Sequence, residues 1–181
     1  MMYDDCSTHL VHGPGNDGIL LCLQLVRRSL ISGSKVLWLG ILPPTPAESI
    51  LGSLSEAFLS NLLIVPINKI EISSGILKSA DLVIVWSWCR NHGRASKSDI
   101  SLLEGIMKSA CGRVVATSLG NQDASGGPGI TARSRLKLEN MGFTTWFFTR
   151  KNVGPGRILM SSDAEMTLER EDGEFKVSSE F

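Results

Sequence analysis

Two stretches of the chain, Lys35–Leu42 (KVLWLGIL) and Asp81–Cys89 (DLVIVWSWC), are apolar almost without a break, and they constrain the fold more than any other feature. A strand wetted on one face alternates apolar with polar residues. A strand without alternation is covered on both faces, as in a parallel sheet held between helices. The segments around these runs carry the complementary signal. After Thr8–His12, which is short and β-compatible, Ile19, Leu23, Val26 and Leu30 recur at helical spacing until Gly33. Pro43, Pro44 and Pro46 lead stiffly into Ala47–Ser60, where Ile50, Leu51, Leu54 and Phe58 make a second amphipathic face. Leu62–Ile67 is a third strand candidate, with Pro66 marking its end or a sheet edge. A polar loop, Arg90–Lys97, follows the second apolar run. The next helix has Ser98 as its expected N-cap and carries Ile100, Leu103, Ile106, Met107 and Ala110 on one face; Gly112 ends it, and Arg113–Leu119 returns as strand. Such alternation of strand and helix predicts a mostly parallel sheet with helices on both faces and right-handed crossovers.

Beyond this point the pattern changes. Gly120–Gly129 holds four of the chain's 18 glycines together with Ser125 and Pro128, and reads as a mobile loop. A short polar helix is expected over Thr131–Asn140. Phe143–Arg150, Arg157–Ser162, Glu165–Glu169 and Phe175–Ser178 read as short strands, with Glu171-Asp172-Gly173 as a hairpin signal. The expectation is one α/β domain over residues 1–181: a parallel core (1–119), a flexible loop with a short helix (120–140) and antiparallel C-terminal strands (141–181). A chain of 181 residues with 43% apolar content can bury one sizeable core, and two would be a tight fit.

Composition narrows the setting. Asp4 and Asp5 stand where a secretory leader would carry cations, and no run approaches the roughly 18 apolar residues of a membrane span. A cytoplasmic protein without membrane partners is expected. Cys6, Cys22, Cys89 and Cys111 form no CxxC pair and read as reduced, buried thiols; Arg90 beside Cys89 could lower its thiol pKa, but no partner base is visible and burial is expected. The net charge is zero but unevenly spread. Residues 1–89 hold 5 Lys+Arg against 7 Asp+Glu, residues 90–160 hold 11 against 4, and residues 161–181 hold 2 against 7. A basic middle is followed by an acidic tail.

The first strand-to-helix turn, Gly13-Pro14-Gly15-Asn16-Asp17-Gly18-Ile19-Leu20, keeps the glycine spacing of a phosphate-binding P-loop, GxxxxGK[ST]. Ile19 stands at the lysine and Leu20 at the metal-binding hydroxyl. The lysine neutralises β- and γ-phosphates and the hydroxyl completes the Mg²⁺ shell, so these two aliphatic residues lack both functions. With its motifs in this order, the chain resembles the RecA-like family, in its archaeal RadA and KaiC-type branch, over nearly its whole length. The resemblance implies a RecA-like, mostly parallel sheet flanked by helices and closed by C-terminal antiparallel strands. It aligns Gly13–Leu20 with the P-loop, VLWLGILPP with the strand that ends at the catalytic Glu, ADLVIVWSW with the Walker B strand, and RVVATSLGNQD with the strand before a DNA-binding loop. By this alignment the Glu position falls near Leu42 and Pro43, and the Mg²⁺-holding Asp falls at Trp86. The loss of all four polar groups in the apolar direction implies a pseudo-ATPase without catalytic residues, metal or cofactor. Gly13, Gly15, Gly18, Ile19 and Leu20 then form a retained turn.

In the family, the loops after the Walker B strand and after the next strand hold single-stranded DNA. Here these loops contain Arg90, Arg94 and Lys97, then Arg133, Arg135 and Lys137, which can track phosphates by charge alone and lack aromatic stacking platforms. The resemblance therefore implies a non-catalytic paralogue in DNA recombination or repair, partnered by a RecA/RadA-type recombinase or other RecA-like subunits. A scaffold subunit of a non-DNA complex, similar to the pseudo-ATPase Elongator subunits or the division inhibitor SulA, is the alternative. An ATPase with an unusual P-loop finds no substitute Lys or acidic Mg²⁺ ligand. His9, His12 and His92 are too few and too spread for a metal site. There is no GxSxG, HExxH or paired-carboxylate pattern to support a hydrolase. Trp86 and Trp88, two apart on one expected strand, should face the same side and pack in the core.

Overall fold

The computed structural model describes residues 7–67, 73–91, 94–122, 130–151 and 156–178. Among these residues nine strands form one sheet in the order β11-β10-β9-β8-β1-β5-β4-β2-β3. Its centre is β1 (Thr8–His12), every residue of which is buried, paired in parallel with β5 (Arg113–Leu119) on one side and β8 (Thr144–Arg150) on the other. The parallel ladder continues through β4 (Leu82–Val85) and β2 (Val36–Leu39) to β3 (Leu62–Val65). Both apolar runs are thus interior strands covered on two faces, as their lack of alternation requires.

Two apolar clusters sandwich this sheet. One joins Leu10, Trp38, Ile84 and Val115 to α1 (Asp17–Ile31), α2 (Pro44–Leu51) and, through Leu159, Leu168 and Phe175, to the C-terminal strands. The other joins Leu37, Val83, Val85 and Ala116 to α4 (Ser74–Ser79), α5 (Lys97–Ser109) and α6 (Arg135–Asn140). The expected helix over Ala47–Ser60 is two helices: α2 stops at Gly52, and Ser55 precedes the four-residue α3 (Glu56–Leu59), leaving Phe58 exposed. Helix α5 begins two residues earlier than expected, because Ser96 accepts from Asp99 N while Asp99 accepts from Ser96 N, a reciprocal box that Ser98 cannot make. Strand β3 is indeed the sheet edge, with Pro66 just past its end.

The C-terminal segment is antiparallel only from β9 (Arg157–Met160) onward, through β10 (Glu165–Glu171) and β11 (Glu174–Val177). Strand β8, expected with them, runs parallel to β1. Its Thr145, Trp146 and Phe148 are buried, so it belongs to the core ladder and merely offers its far edge to β9. The Asp172-Gly173 turn joins Glu171 to Glu174 with φ of 50° and 85°, the positive pair a two-residue hairpin needs. A separate two-stranded ribbon, β6 (Asn121–Gln122) with β7 (Ile130–Thr131), brackets the glycine-rich segment; residues 123–129 of the expected mobile loop lie outside the described residues.

Candidate functional site

The turn between β1 and α1 lies at the carboxyl ends of the parallel strands, where open α/β sheets bind ligands. Its side chains close it. A Cβ at Gly18 would lie 2.4 Å from His12 Cγ, so the glycine is required for the imidazole to pack under the first turn of α1. His12 Nδ1 donates to Gly13 O at 2.8 Å. Its ring stacks on Trp86 (5.3 Å between centroids, 12° between planes), and Trp86 stacks in turn on Trp38 (5.7 Å, 26°). Ile19 and Leu20 are buried in the α1 cluster alongside Trp38. At the helix N-terminus, where a phosphate would meet the positive end of the dipole, Asp17 already receives Arg157 Nε at 2.7 Å, with Arg150 Nε at 3.9 Å. A cleft of about 310 Å³ beside Gly13 and Pro14 is lined by these three charged groups and Phe148. Burial lowers the His12 pKa below its ordinary value, so the stacked ring is neutral near pH 7.

Trp88 goes to the opposite face. Strand β4 ends at Val85 and Ser87 adopts φ 52°, which breaks the two-residue alternation. The expectation that Trp86 and Trp88 share a side is therefore corrected: Trp86 packs on the α1 cluster and Trp88 on the α5 cluster. There Trp88 Nε1 donates to His9 Nε2 at 3.3 Å, and Ser118 Oγ lies 2.9 Å from the same nitrogen. Desolvation holds the pKa of His9 down at about 4. Nothing in the sequence brings Trp88, His9 and Ser118 together; adjacency of β4, β5 and β1 does.

The two basic loops expected to hold nucleic acid meet, but through Arg133 rather than through a ligand. Arg133 is 4% exposed. Its guanidinium donates to the carbonyl oxygens of Arg90 and Asn91 and to Asn121 Oδ1 (3.0 Å from Nε, 2.6 Å from Nη2), with Cys89 Sγ 4.0 Å away. Of the residues expected to meet nucleic acid, Arg133 thus ties one loop to another, with its donors engaged within the chain. Arg135 pairs with Glu139 at 2.7 Å and lies over the Phe147 ring at 5.7 Å, while Lys137 sits 3.8 Å from Glu104. Arg90, Arg94 and Lys97 are exposed. Burial pushes the Cys89 thiol up and the Arg133 hydrogen bond opposes it, whereas Cys22, fully enclosed, is pushed up to about 12. Cys111 is exposed, in contrast to the expected burial, and Cys6 and His92 lie outside the described residues. Among the described residues no group of three or more His, Cys, Asp or Glu could hold a metal, and no helix is long and apolar enough to cross a membrane.

No protein-family model matches the sequence, and no curated protein matches it. Solved structures do. The chain superposes on the RadB recombinase with a TM-score of 0.63 at 14% identity, covering 94% of this chain and 90% of that one. It superposes on the KaiC-like protein PH0186 from Pyrococcus horikoshii OT3 with a TM-score of 0.66 at 12% identity, covering 96% and 89%. Coverage of this extent in both directions includes the helices, the parallel ladder and the closing antiparallel strands, and the fold of this chain is the RecA-like fold.

Proposed function

We propose that this RecA-like domain does not hydrolyse ATP and works by binding, as a non-catalytic partner of an active RecA/RadA-type recombinase or of other RecA-like subunits in DNA recombination and repair. One observation carries the reading: His12, Trp86 and Trp38 form a continuous stack beneath Gly18, while Ile19 and Leu20 are core residues. A triphosphate with Mg²⁺ needs a lysine and oxygen ligands there, and an aromatic stack supplies neither. The likeness to a recombinase supports the choice of partner. Edge strand β3 supports assembly: Leu63 and Ile64 are 46% and 43% exposed on a strand whose outer backbone edge has no neighbour among the described residues. Calorimetric titration with Mg-ATP is expected to give no binding at micromolar nucleotide, and an ATPase assay no turnover above buffer. Tight Mg-ATP binding overturns the reading, as does failure to contact a RadA-type recombinase or to alter its strand exchange.

Contact with single-stranded DNA, if it accompanies assembly, falls to Arg90, Arg94 and Lys97. Their joint replacement by Ala is expected to abolish a weak, salt-sensitive anisotropy signal that fades with rising salt. The burial of Arg133, with the ion pairs that Arg135 and Lys137 make to Glu139 and Glu104, favours the second reading, a scaffold subunit of a complex without DNA. Stable co-purification with such a complex, together with no DNA binding at low salt, selects it.

A further inference from the structure

Strand β3 ends one side of the sheet, and its pairing with β2 fixes which of its backbone groups point outward. Val36 N donates to Asn61 O at 2.8 Å and Gly40 N to Val65 O at 2.9 Å. Asn61, Leu63 and Val65 therefore turn their backbone groups to β2, and Leu62 and Ile64 turn theirs out. The outward row is limited at both ends: Pro66 has no N–H, and Ser60 N already donates to Glu56 O. The side chains beside this row are apolar on both faces of the sheet. Leu63 and Ile76 of α4 line one groove and are 46% and 36% exposed, and Ile64, on the other face by alternation, is 43% exposed. Residues 57–67 carry no charge. The opposite edge of the sheet is guarded differently, since β11 holds Glu174 and Lys176, which pair with Arg27 and Glu171.

From this arrangement we infer that β3 is a two-fold interface: two copies of the chain join their β3 edges antiparallel, with Leu63 opposite Leu63 of the partner subunit on the axis. The backbone selects this register. Leu62 exchanges both of its outward groups with Ile64 of the partner subunit, and Ile64 does the same with the partner's Leu62. A register centred on Ile64 would set Leu62 against Pro66, and one centred on Leu62 would set Ile64 against the engaged Ser60, so each forfeits donors. Charge selects a second copy as the occupant. A contact of this symmetry brings each edge residue near its own copy, so any charge on the edge would meet its like. An uncharged edge meets that condition, whereas it offers an acidic or basic peptide nothing to pair with. The axis stands perpendicular to the sheet, so like faces align and Leu63 packs on Leu63 of the partner subunit, Ile64 on the partner's Leu62. Stable complexes bury about 800 Å² per partner, and two four-residue strands with their flanking side chains fall below that, so the dimer is weak and concentration-dependent. This goes beyond the function proposed above: it concerns the chain alone, and a β3 edge so paired is closed to other subunits until the dimer parts.

The test is sedimentation velocity of the full chain, without nucleotide, DNA or recombinase, from about 5 to about 500 µM, the range in which a weak interface dissociates. The chain should pass from monomer to dimer across this range. Ile64→Lys, at an exposed position, brings two lysines together across the axis and should weaken dimerisation at least about tenfold; Val177→Lys, exposed on the β11 edge, should leave it unchanged. Cross-linking reads the register. With exposed Cys111 replaced in a Cys111→Ser background, Leu63→Cys puts the two sulfurs at the non-hydrogen-bonded pair on the axis, where Cα atoms lie about 4.5 Å apart and a disulfide closes. It should link the two copies at least about tenfold faster than Ile64→Cys, whose two sulfurs stand on a diagonal about 7 Å or more apart. The inference is overturned if the chain stays monomeric throughout, if Ile64→Lys dimerises as well as the natural chain, if Val177→Lys weakens dimerisation as much as Ile64→Lys, or if Leu63→Cys and Ile64→Cys cross-link alike.

Discussion

On the α1 face of the sheet, His12 is shut in by Trp86 and Trp38, whereas on the α5 face the two long loops are held by the guanidinium of Arg133 between the carbonyls of Arg90 and Asn91 and the side chain of Asn121. The first closure is made of ring faces. It rests on dispersion and burial, it is neutral, and it cannot open without exposing core. The second is made of charge-assisted hydrogen bonds to groups that water could also satisfy, so it can open by exchanging partners. A RecA-like frame therefore carries one corner packed with aromatic rings and one hydrogen-bonded seam at the same end of its sheet.

The largest expected effect tests the filled corner. Trp38→Ala removes a fully buried indole and should cost about 4 kcal/mol, read by urea denaturation; a loss under about 1 kcal/mol would mean the stack is not part of the core. Arg133→Ala should cost about 2 kcal/mol, because the two loops lose the charge-assisted hydrogen bonds that tie them together. Here the two regions separate: millimolar methylguanidinium should restore part of the loss in Arg133→Ala and none in Trp38→Ala, and equal behaviour of the two variants removes the distinction.

Acid comes next. The unfolded chain protonates His9 near 6.5 and the folded chain only near 4, so between those values the unfolded state binds the extra proton. Stability should fall as pH drops through this window, by on the order of 3 kcal/mol, and His12, shifted in the same direction, adds to the slope. His9→Gln should flatten the profile while lowering stability at every pH; an unchanged slope would place the acid sensitivity elsewhere. The smallest effect is the most local. Gly18→Ala should cost about 2 kcal/mol through overpacking against His12, and the penalty should shrink in the background of His12→Ala, a coupling visible in a double-mutant cycle.

Much of the fold was legible because apolar runs and helical periods are local facts. KVLWLGIL and DLVIVWSWC announced interior parallel strands, Asp172-Gly173 announced its hairpin, and Pro66 announced the edge. The misses are equally specific. Helix α4 is six residues long and leaves too little pattern to detect, and the break between α2 and α3 lies in Gly52–Ser55, inside an apparently continuous apolar period. The site was legible in part: Gly13–Leu20 and Trp86 could be marked as chemically unusual positions. That they touch was not visible, since His12 and Trp86 are far apart in sequence.

The sequence by itself determined the class of fold, the covered sheet and the aliphatic pair Ile19 and Leu20 directly after Gly18, because these depend on residue type and near-neighbour spacing. Only the tertiary structure decided what the charged and polar residues do. Arg133 reads in the sequence as a surface cation like Arg90 and becomes a buried clasp; β8 reads as part of an antiparallel tail and becomes the parallel neighbour of β1. Partners of this kind come from strand order and from loops that meet across the sheet, and the desolvation that makes a polar group consequential exists only once the chain has closed around it.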